Sequence, residues 1–502
     1  MPNVLLITVD QWRGECLGAA GHPIVRTPNL DRLAADGVLF RRHYAQAAPC
    51  GPSRASLHTG QYLMKHRSPL NGTPLDARFT NLALEVRAAG YDPVLFGYTD
   101  ASPDPRQLAP DDPRLTSYEG VLPGYRAVVD LPEHGRLWGV WLRERGYDVP
   151  DDVTQMYRPI SDAPGAPVAY AAEHTEAAFL TGEALDYLDL PDSPADWFMH
   201  VAYIRPHPPF VAPEPYASMY DPAEMPPPIR RDTYGEEGAA HPVLGGALAI
   251  PGIRFGDDID DVLQLRATYF GMMSEVDAQV GRLLDGIRER GAWDDTLVIL
   301  TSDHGEQLGD HWLTEKLGWF EQSYHIPLIV HDPRAAHSFG SVVEDRFTEN
   351  VDIMPTVLEW LGLDVPIQCD GRSLTSLVRG DVPEQWRDAA FWEWEFRDPI
   401  GGFAEAAMGL TMDQCALSVL RDEHGKYVHF TGLPPLFYDL DDDPHEMTNR
   451  ADDPAYAPTV LRYAQRMLSL RMEHAEQTLT GLVVTSAGVL DGRRRAGATP
   501  ST

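Results

Sequence analysis

Around Cys50 the chain reads Cys50-Gly-Pro-Ser-Arg54-Ala-Ser-Leu-His-Thr59-Gly60. Pro49 and Pro52 oppose regular structure at the cysteine, whereas residues 53–61 suit a helix, so Cys50 is predicted at a loop-to-helix junction. A side chain there meets unpaired backbone N–H groups and the positive end of the helix dipole, and both favour an anion. Arg54, about one turn on, can reach back to the same place. The stretch therefore reads as an oxyanion site built around one sulfur. A lone cysteine at a helix start would otherwise be a small buried thiol.

Two further segments supply what the cysteine lacks. Asp10-Gln11 ends the apolar run at 4–9, and Thr301-Ser-Asp303-His304-Gly305 ends another at 296–301. Two carboxylates, an amide oxygen and an imidazole converging from two strand ends make a site for one divalent cation. Carboxylate and amide ligands favour Ca²⁺, Mg²⁺ or Mn²⁺, while the histidine admits Mn²⁺ or Zn²⁺. His207, in Arg205-Pro206-His207-Pro208-Pro209, has a restricted backbone that suits a presented side chain. Lys316, shortly after the 303–304 pair, joins it as a partner for a substrate oxyanion or leaving group, only because of these neighbours.

The elements that must hold these residues alternate. Helices at 28–35, 81–90, 173–188 and 263–290 are each followed by a strand, at 38–44, 91–98, 197–203 and 296–301. Alternation with helical crossovers predicts an α/β fold, a large mostly parallel sheet sandwiched by helices, with ligands at the carboxyl ends of its strands. Residues 102–167 and 206–232 are rich in Pro, Asp and Gly and read as loops shaping a substrate mouth. Another helix is expected at 351–362. Paired strands at 415–420 and 426–430, a third at 436–440 and a closing helix at 458–476 predict a small antiparallel subdomain. The domain organisation expected is 1–369 catalytic, 370–486 a smaller C-terminal α+β subdomain, and 487–502 a frayed tail.

Composition narrows the partners. Among 502 residues, 75 acidic against 41 basic give a formal net charge of -34, which opposes binding to nucleic acid or an anionic membrane surface. Local positive groups must therefore draw any anionic substrate. Cys16, Cys50, Cys369 and Cys415 are widely spaced, without a CxxC pair, and suit a reducing compartment. The first residues enter a strand-like run at once, and no apolar stretch approaches membrane-spanning length. A cytoplasmic protein is expected.

Cys-x-Pro-Ser-Arg followed by Thr-Gly resembles the type I sulfatase signature, whose cysteine is oxidised to Cα-formylglycine. The order Asp10-Gln11, Cys50 to Arg54, His207, Asp303-His304 and Lys316 resembles the alkaline phosphatase superfamily, sulfatase branch, over most of the chain. The likeness is greatest to bacterial phosphonate monoester hydrolases, through Val-Asp-Gln-Trp-Arg at 9–13, Arg-Pro-His-Pro-Pro-Phe-Val at 205–211 and Thr-Ser-Asp-His-Gly-Glu-Gln-Leu-Gly-Asp-His at 301–311. Tyr-Leu-Met at 62–64, Pro-Asp-Pro-Arg at 103–106 and Leu-Pro-Pro-Leu-Phe at 433–437 extend it.

The resemblance implies an alkaline-phosphatase-like fold and a formylglycine at position 50 that is hydrated to a geminal diol. One diol oxygen, acidified by a metal held by Asp10, Gln11, position 50, Asp303 and His304, attacks sulfur or phosphorus. Arg54 and Lys316 stabilise charge, and His207 serves the leaving group. The second hydroxyl then expels the product by C–O cleavage. Ca²⁺ or Mn²⁺ is the expected cation, with Mg²⁺ or Zn²⁺ as alternatives. By motif position Asn71, Tyr98 and Asp100 also approach the substrate; similar hydrolases have Thr at the place of Asp100, and often Arg at that of His325. The expected activity is hydrolysis of phosphonate monoesters and phosphodiesters with promiscuous sulfate-ester hydrolysis, and the alternative is a sulfatase acting on aryl or choline-like sulfate esters. Expected partners are a small anionic ester, a formylglycine-generating enzyme and copies of the chain in a dimer or tetramer. If Cys50 stays a thiol, the cleft is a non-catalytic oxyanion-binding site.

Overall fold

Strand β1 (Asn3–Val9) is buried at every position. Its side chains alternate between two apolar layers: Leu5, Ile7 and Val9 enter one, Val4 and Leu6 the other. This is the period-2 pattern of a strand covered on both faces. In chain order the other strands of its sheet are β2 (Val38–Phe40), β3 (Val94–Gly97), β4 (Arg126–Asp130), β5 (Phe198–Tyr203), β6 (Thr296–Ser302), β7 (Leu328–His331) and β8 (Val342–Glu344). The structure, a computed structural model, describes residues 1–132, 135–191, 193–335, 342–381 and 383–492.

The sheet order is β8-β2-β7-β6-β1-β5-β3-β4. All pairings are parallel except those of β7 with β6 and β2. The carboxyl ends of β6, β1, β5 and β3 therefore lie side by side, and parallel strands demand the helical crossovers the alternation predicts. Helices α1 (Pro28–Ala35), α4 (Glu176–Leu188) and the long α5 (Ile259–Glu289) cover one face; α2 (Cys50–Thr59), α3 (Leu82–Ala88) and α6 (Ile353–Trp360) cover the other. Against α2 lie Ile353, Met354 and Val357 of α6, packed with Leu57.

A second sheet contains β9 (Ala389–Glu395), β10 (Ala416–Asp422), β11 (Gly425–Phe430) and β12 (Leu436–Asp439), all antiparallel, with α7 (Ala457–Glu473) across it. Its fifth strand comes from far upstream: Ala47–Ala48 pairs in parallel with Glu393 and Trp394. The smaller sheet thus grips the two residues ahead of Pro49 and Cys50, which fixes the approach to α2.

Three expectations change. The single strand at 38–44 divides, because His43–Tyr44 leaves β2 to pair with Thr348–Glu349 and His325–Ile326. The region 102–167 is not loop alone: it contains β4, at the sheet edge, and a helix at Arg136–Glu144. The tail expected from 487 begins as structure, since Leu482–Thr485 pairs with Gly488–Asp491; residues 493–502 lie outside the described residues. Among the described residues, no helix is long and apolar enough to cross a membrane.

Candidate active site

Cys50 is the first residue of α2, after Pro49 in extended conformation, and is buried. The Cys50 thiol donates to His304 Nε2 at 3.1 Å. His304 Nδ1 donates to the Gly305 carbonyl at 3.0 Å, and a carbonyl can only accept, so the ring keeps its Nε2 lone pair directed at the sulfur side. One ligand atom each from Asp10, Cys50, Asp303 and His304 lies within 4.8 Å of the others. Burial pushes the thiol well above its usual range, and Asp10 adds to the effect. A thiolate nucleophile is thereby disfavoured.

Arg54 sits one turn along α2 and is buried among acids. It donates through Nη2 to Asp10 Oδ2 at 2.7 Å, through Nε to Asp303 Oδ2 at 2.9 Å, and through Nη1 to the Tyr98 carbonyl at 3.2 Å. Its guanidinium lies 4.0 Å from the centre of the Tyr98 ring, whose hydroxyl also donates to Asp10 Oδ2. Asp303 Oδ1 accepts from the backbone N–H groups of Gln11 and His304 at 3.2 and 3.0 Å. Asp10 Oδ1 is buried with no hydrogen-bond partner.

Gln11, at a positive φ of 66°, closes the other flank. Its Nε2 donates to Glu306 Oε2, while its Oε1 accepts from Lys316 Nζ at 2.8 Å. A carboxylate needs the NH₂ and an ammonium needs the oxygen, so these partners fix the amide orientation. Lys316 Nζ also donates to His207 Nε2 at 3.1 Å, and His207 Nδ1 donates to the Pro208 carbonyl at 2.9 Å. Burial first, and then Lys316, hold the His207 pKa well below its usual value. Burial works against the Lys316 charge, but the acidic groups Cys50, Glu315 and Asp10 outweigh it and raise its pKa. The pair is thus a neutral imidazole accepting from a charged ammonium. Asn71 Oδ1 accepts from the Gly51 N–H at 2.8 Å.

Residues 2–363 match the model of the sulfatase family, and residues 309–473 match that of the N-sulphoglucosamine sulphohydrolase C-terminal region. The chain belongs to the sulfatase family. It is 44% identical over 500 residues to the multifunctional alkaline phosphatase superfamily protein PehA of Trinickia caryophylli, covering 95% of this chain and 96% of that protein. It superposes on the phosphonate monoester hydrolase of Agrobacterium radiobacter with a TM-score of 0.93 at 48% identity, covering 98% of this chain and 99% of that one. For the phosphonate monoester hydrolase of Silicibacter pomeroyi the TM-score is 0.92 at 40% identity, with 98% and 100% covered. The arylsulfatase of Clostridium perfringens is 26% identical over 498 residues, covering 95% of this chain and 96% of that protein.

Within this sulfatase-family chain the structure brings Asp10, Gln11, Cys50, Arg54, Tyr98, Asp303 and His304 into one buried network. His207 and Lys316 join it through Gln11, and Asn71 borders it through Gly51. Asp100 stands at its edge, with Oδ2 4.0 Å from Arg54 Nε. His325 stays outside, donating from Nε2 to the Arg41 carbonyl at 2.7 Å. Two supporting residues escaped the sequence reading. Glu306 receives the Gln11 amide and also the backbone N–H groups of Leu308 and Glu315, at 3.0 and 2.8 Å. Arg205 donates to the carbonyls of His207 and Pro209 at 2.8 and 2.7 Å and so braces the His207 turn. Both lie inside the quoted motifs, but nothing in their spacing tells a brace from a surface charge.

Proposed function

We propose that this chain hydrolyses phosphonate monoesters and phosphodiesters, with sulfate esters as secondary substrates, from a formylglycine made at Cys50. The observation that carries the reading is a buried cysteine at a helix start whose sulfur lies within 4.8 Å of ligand atoms on two carboxylates and an imidazole. A sulfur among such polar partners is no core filler, and an oxidised side chain bearing oxygen matches the oxygen and nitrogen donors around it. The full-length likeness to phosphonate monoester hydrolases, C-terminal sheet included, orders phosphonate ahead of sulfate.

A cation fits these donors. Asp10 Oδ1 lacks a partner where Oδ2 has two, and the tautomer of His304 presents at Nε2 a lone pair, here accepting from the Cys50 thiol, that can ligate once position 50 is converted. Asp10, Gln11, Asp303, His304 and position 50 would hold it, Ca²⁺ or Mn²⁺ first, with Mg²⁺ or Zn²⁺ as alternatives. Together the bound cation and the formylglycine hydrate supply an activated oxygen nucleophile at neutral pH. Arg54 orients Asp10 and Asp303. Lys316 faces the charge that develops on the reacting group, and, positioned by His207 Nε2, it holds a proton at Nζ for the departing oxygen. Asn71, Tyr98 and Asp100 border the substrate.

Maturation by a formylglycine-generating enzyme belongs to this reading. So does assembly as a dimer or tetramer through the outer face of α7, where Leu461, Leu468 and Met472 are exposed. The four cysteines are unpaired, in keeping with a cytoplasmic site of action. The catalytic part spans 1–369 and the C-terminal part 370–486.

The test is the ratio of kcat/KM for an aryl phosphonate monoester and an aryl sulfate sharing one leaving group. Incomplete conversion of Cys50 lowers both values equally and leaves the ratio intact. The phosphonate ester is the better substrate; a ratio strongly favouring sulfate would make the chain a sulfatase on this frame.

Lys316 and His207 carry a separate expectation. His207→Ala lowers kcat/KM by about 10²- to 10⁴-fold for an alkyl leaving group and by much less for a nitrophenyl one, which departs without a proton. Equal losses across a series of leaving groups would remove His207 from proton transfer.

A further inference from the structure

Asp100 is the carboxylate that Arg54 holds at the greatest distance. Arg54 spends Nη2 on Asp10, Nε on Asp303 and Nη1 on the Tyr98 carbonyl. The Asp100 carboxylate stands 4.0 Å from Arg54 Nε with a side chain only 4% exposed, and its Oδ1 has no hydrogen-bond partner. A buried carboxylate in that condition is costly unless something compensates it. Burial pushes its pKa up to about 7, against Arg54 and with the further help of Asp10, Asp303 and Glu119. Asp10, Asp303 and Asp100 thus share one guanidinium on this flank, and Asp100 has the longest contact with it.

Its place gives that imbalance a use. The backbone at 100 is left-handed, φ 50°, a conformation that aspartate tolerates better than most residues. A Cβ at position 51 would lie 3.3 Å from the Asp100 carbonyl and 3.1 Å from Asn71 Oδ1. Asp100 and Asn71 thus border the residue that follows Cys50. Lys316 and His207 are joined to Gln11, whereas Asp100 belongs with Arg54 and Tyr98. With Lys316 and His207 serving the leaving group, as proposed above, Asp100 falls on the side of the substituent that remains on phosphorus.

We propose that Asp100 is a specificity-determining residue that receives a cationic group carried on that remaining substituent, so that the preferred substrates are ammonium-bearing phosphonate or phosphate esters. The proposal rests on the phosphonate-hydrolase reading given above. An ammonium group supplies Asp100 Oδ1 with its missing donor, and a charge-assisted hydrogen bond in a buried site is among the stronger polar contacts. A neutral substituent leaves the carboxylate uncompensated.

The experiment compares p-nitrophenyl 2-aminoethylphosphonate with p-nitrophenyl methylphosphonate at roughly pH 8, where an alkylamine is charged. The wild-type protein favours the amino ester in kcat/KM by on the order of 10- to 100-fold, and Asp100→Asn brings the ratio close to one. A wild-type preference for the methyl ester, or a ratio that Asp100→Asn does not change, overturns the proposal; a preference for the methyl ester would point to a protonated Asp100 donating to a phosphoryl oxygen. Failure of the formylglycine-bearing wild type to turn over either ester sinks the phosphonate reading itself, and this one with it. Should the Asp100→Asn chain not fold, wild-type inhibition constants for 2-aminoethylphosphonate and methylphosphonate decide alone. Tighter binding of the amine supports the assignment, and equal or weaker binding overturns it.

Discussion

Cys50→Ala abolishes turnover of phosphonate, phosphate and sulfate esters alike, with a loss in kcat of roughly 10⁶-fold, the scale on which removal of a covalent nucleophile is felt. The fold survives. Cys50 is small and opens α2 with no large apolar contact to lose, so the change costs about 1 kcal/mol of stability. Ordinary far-UV dichroism and a melting temperature within a few degrees, about what 1 kcal/mol allows, accompany the dead enzyme. The matching observation on the wild type is the mass of the Cys50 peptide, with oxygen in place of sulfur and two hydrogens fewer. An unmodified peptide from a host able to make the conversion, or an active Cys50→Ala chain, would defeat the formylglycine mechanism and leave the cleft as an oxyanion-binding site.

Asp303→Asn has the second largest effect, and it acts through the cation. Asp303 accepts from Gln11 N, His304 N and Arg54 Nε at 3.2, 3.0 and 2.9 Å, so it ties together both strand ends and the catalytic helix. Replacing one oxygen by NH₂ places a donor against these donors and removes one negative charge from the metal ligands. Bound cation disappears from elemental analysis of the purified protein, and kcat/KM falls by about 10³-fold or more, in keeping with several kcal/mol of Lewis-acid stabilisation. Added Mn²⁺ or Ca²⁺ at high concentration restores part of the activity. Full metal content with an unchanged rate would show that Asp303 serves structure alone.

The helix-strand alternation was legible because it is local. Burial on both faces of β1, β5 and β6 writes itself as a short apolar run, and Gly or Pro marks where such runs stop. The failures were of another kind. Strand β9 carries at Trp392, Glu393, Trp394 and Glu395 the alternation of a half-buried strand, yet both acids are buried in the fold, which a polarity pattern cannot reveal. The break between β2 and His43–Tyr44 depends on partners at 325–326 and 348–349, some three hundred residues away in sequence. The fifth strand of the C-terminal sheet, Ala47–Ala48, is too short to be recognised at all.

The same division holds at the site. The sequence alone determined the inventory: a cysteine at a helix start with an arginine one turn on, two acid-bearing strand ends, a histidine between prolines, and a likeness that tied them to one chemistry. Only the tertiary structure decided how they meet. The order β6-β1-β5-β3 sets the ends carrying Asp303, Asp10, His207 and Asp100 side by side, and strand order is a property of long-range pairing that no local pattern encodes. It also decided which charges are matched. Arg54 donates to Asp10, Asp303 and the Tyr98 carbonyl but meets Asp100 only at 4.0 Å, a difference set by geometry, because hydrogen bonds are counted in space and not along the chain.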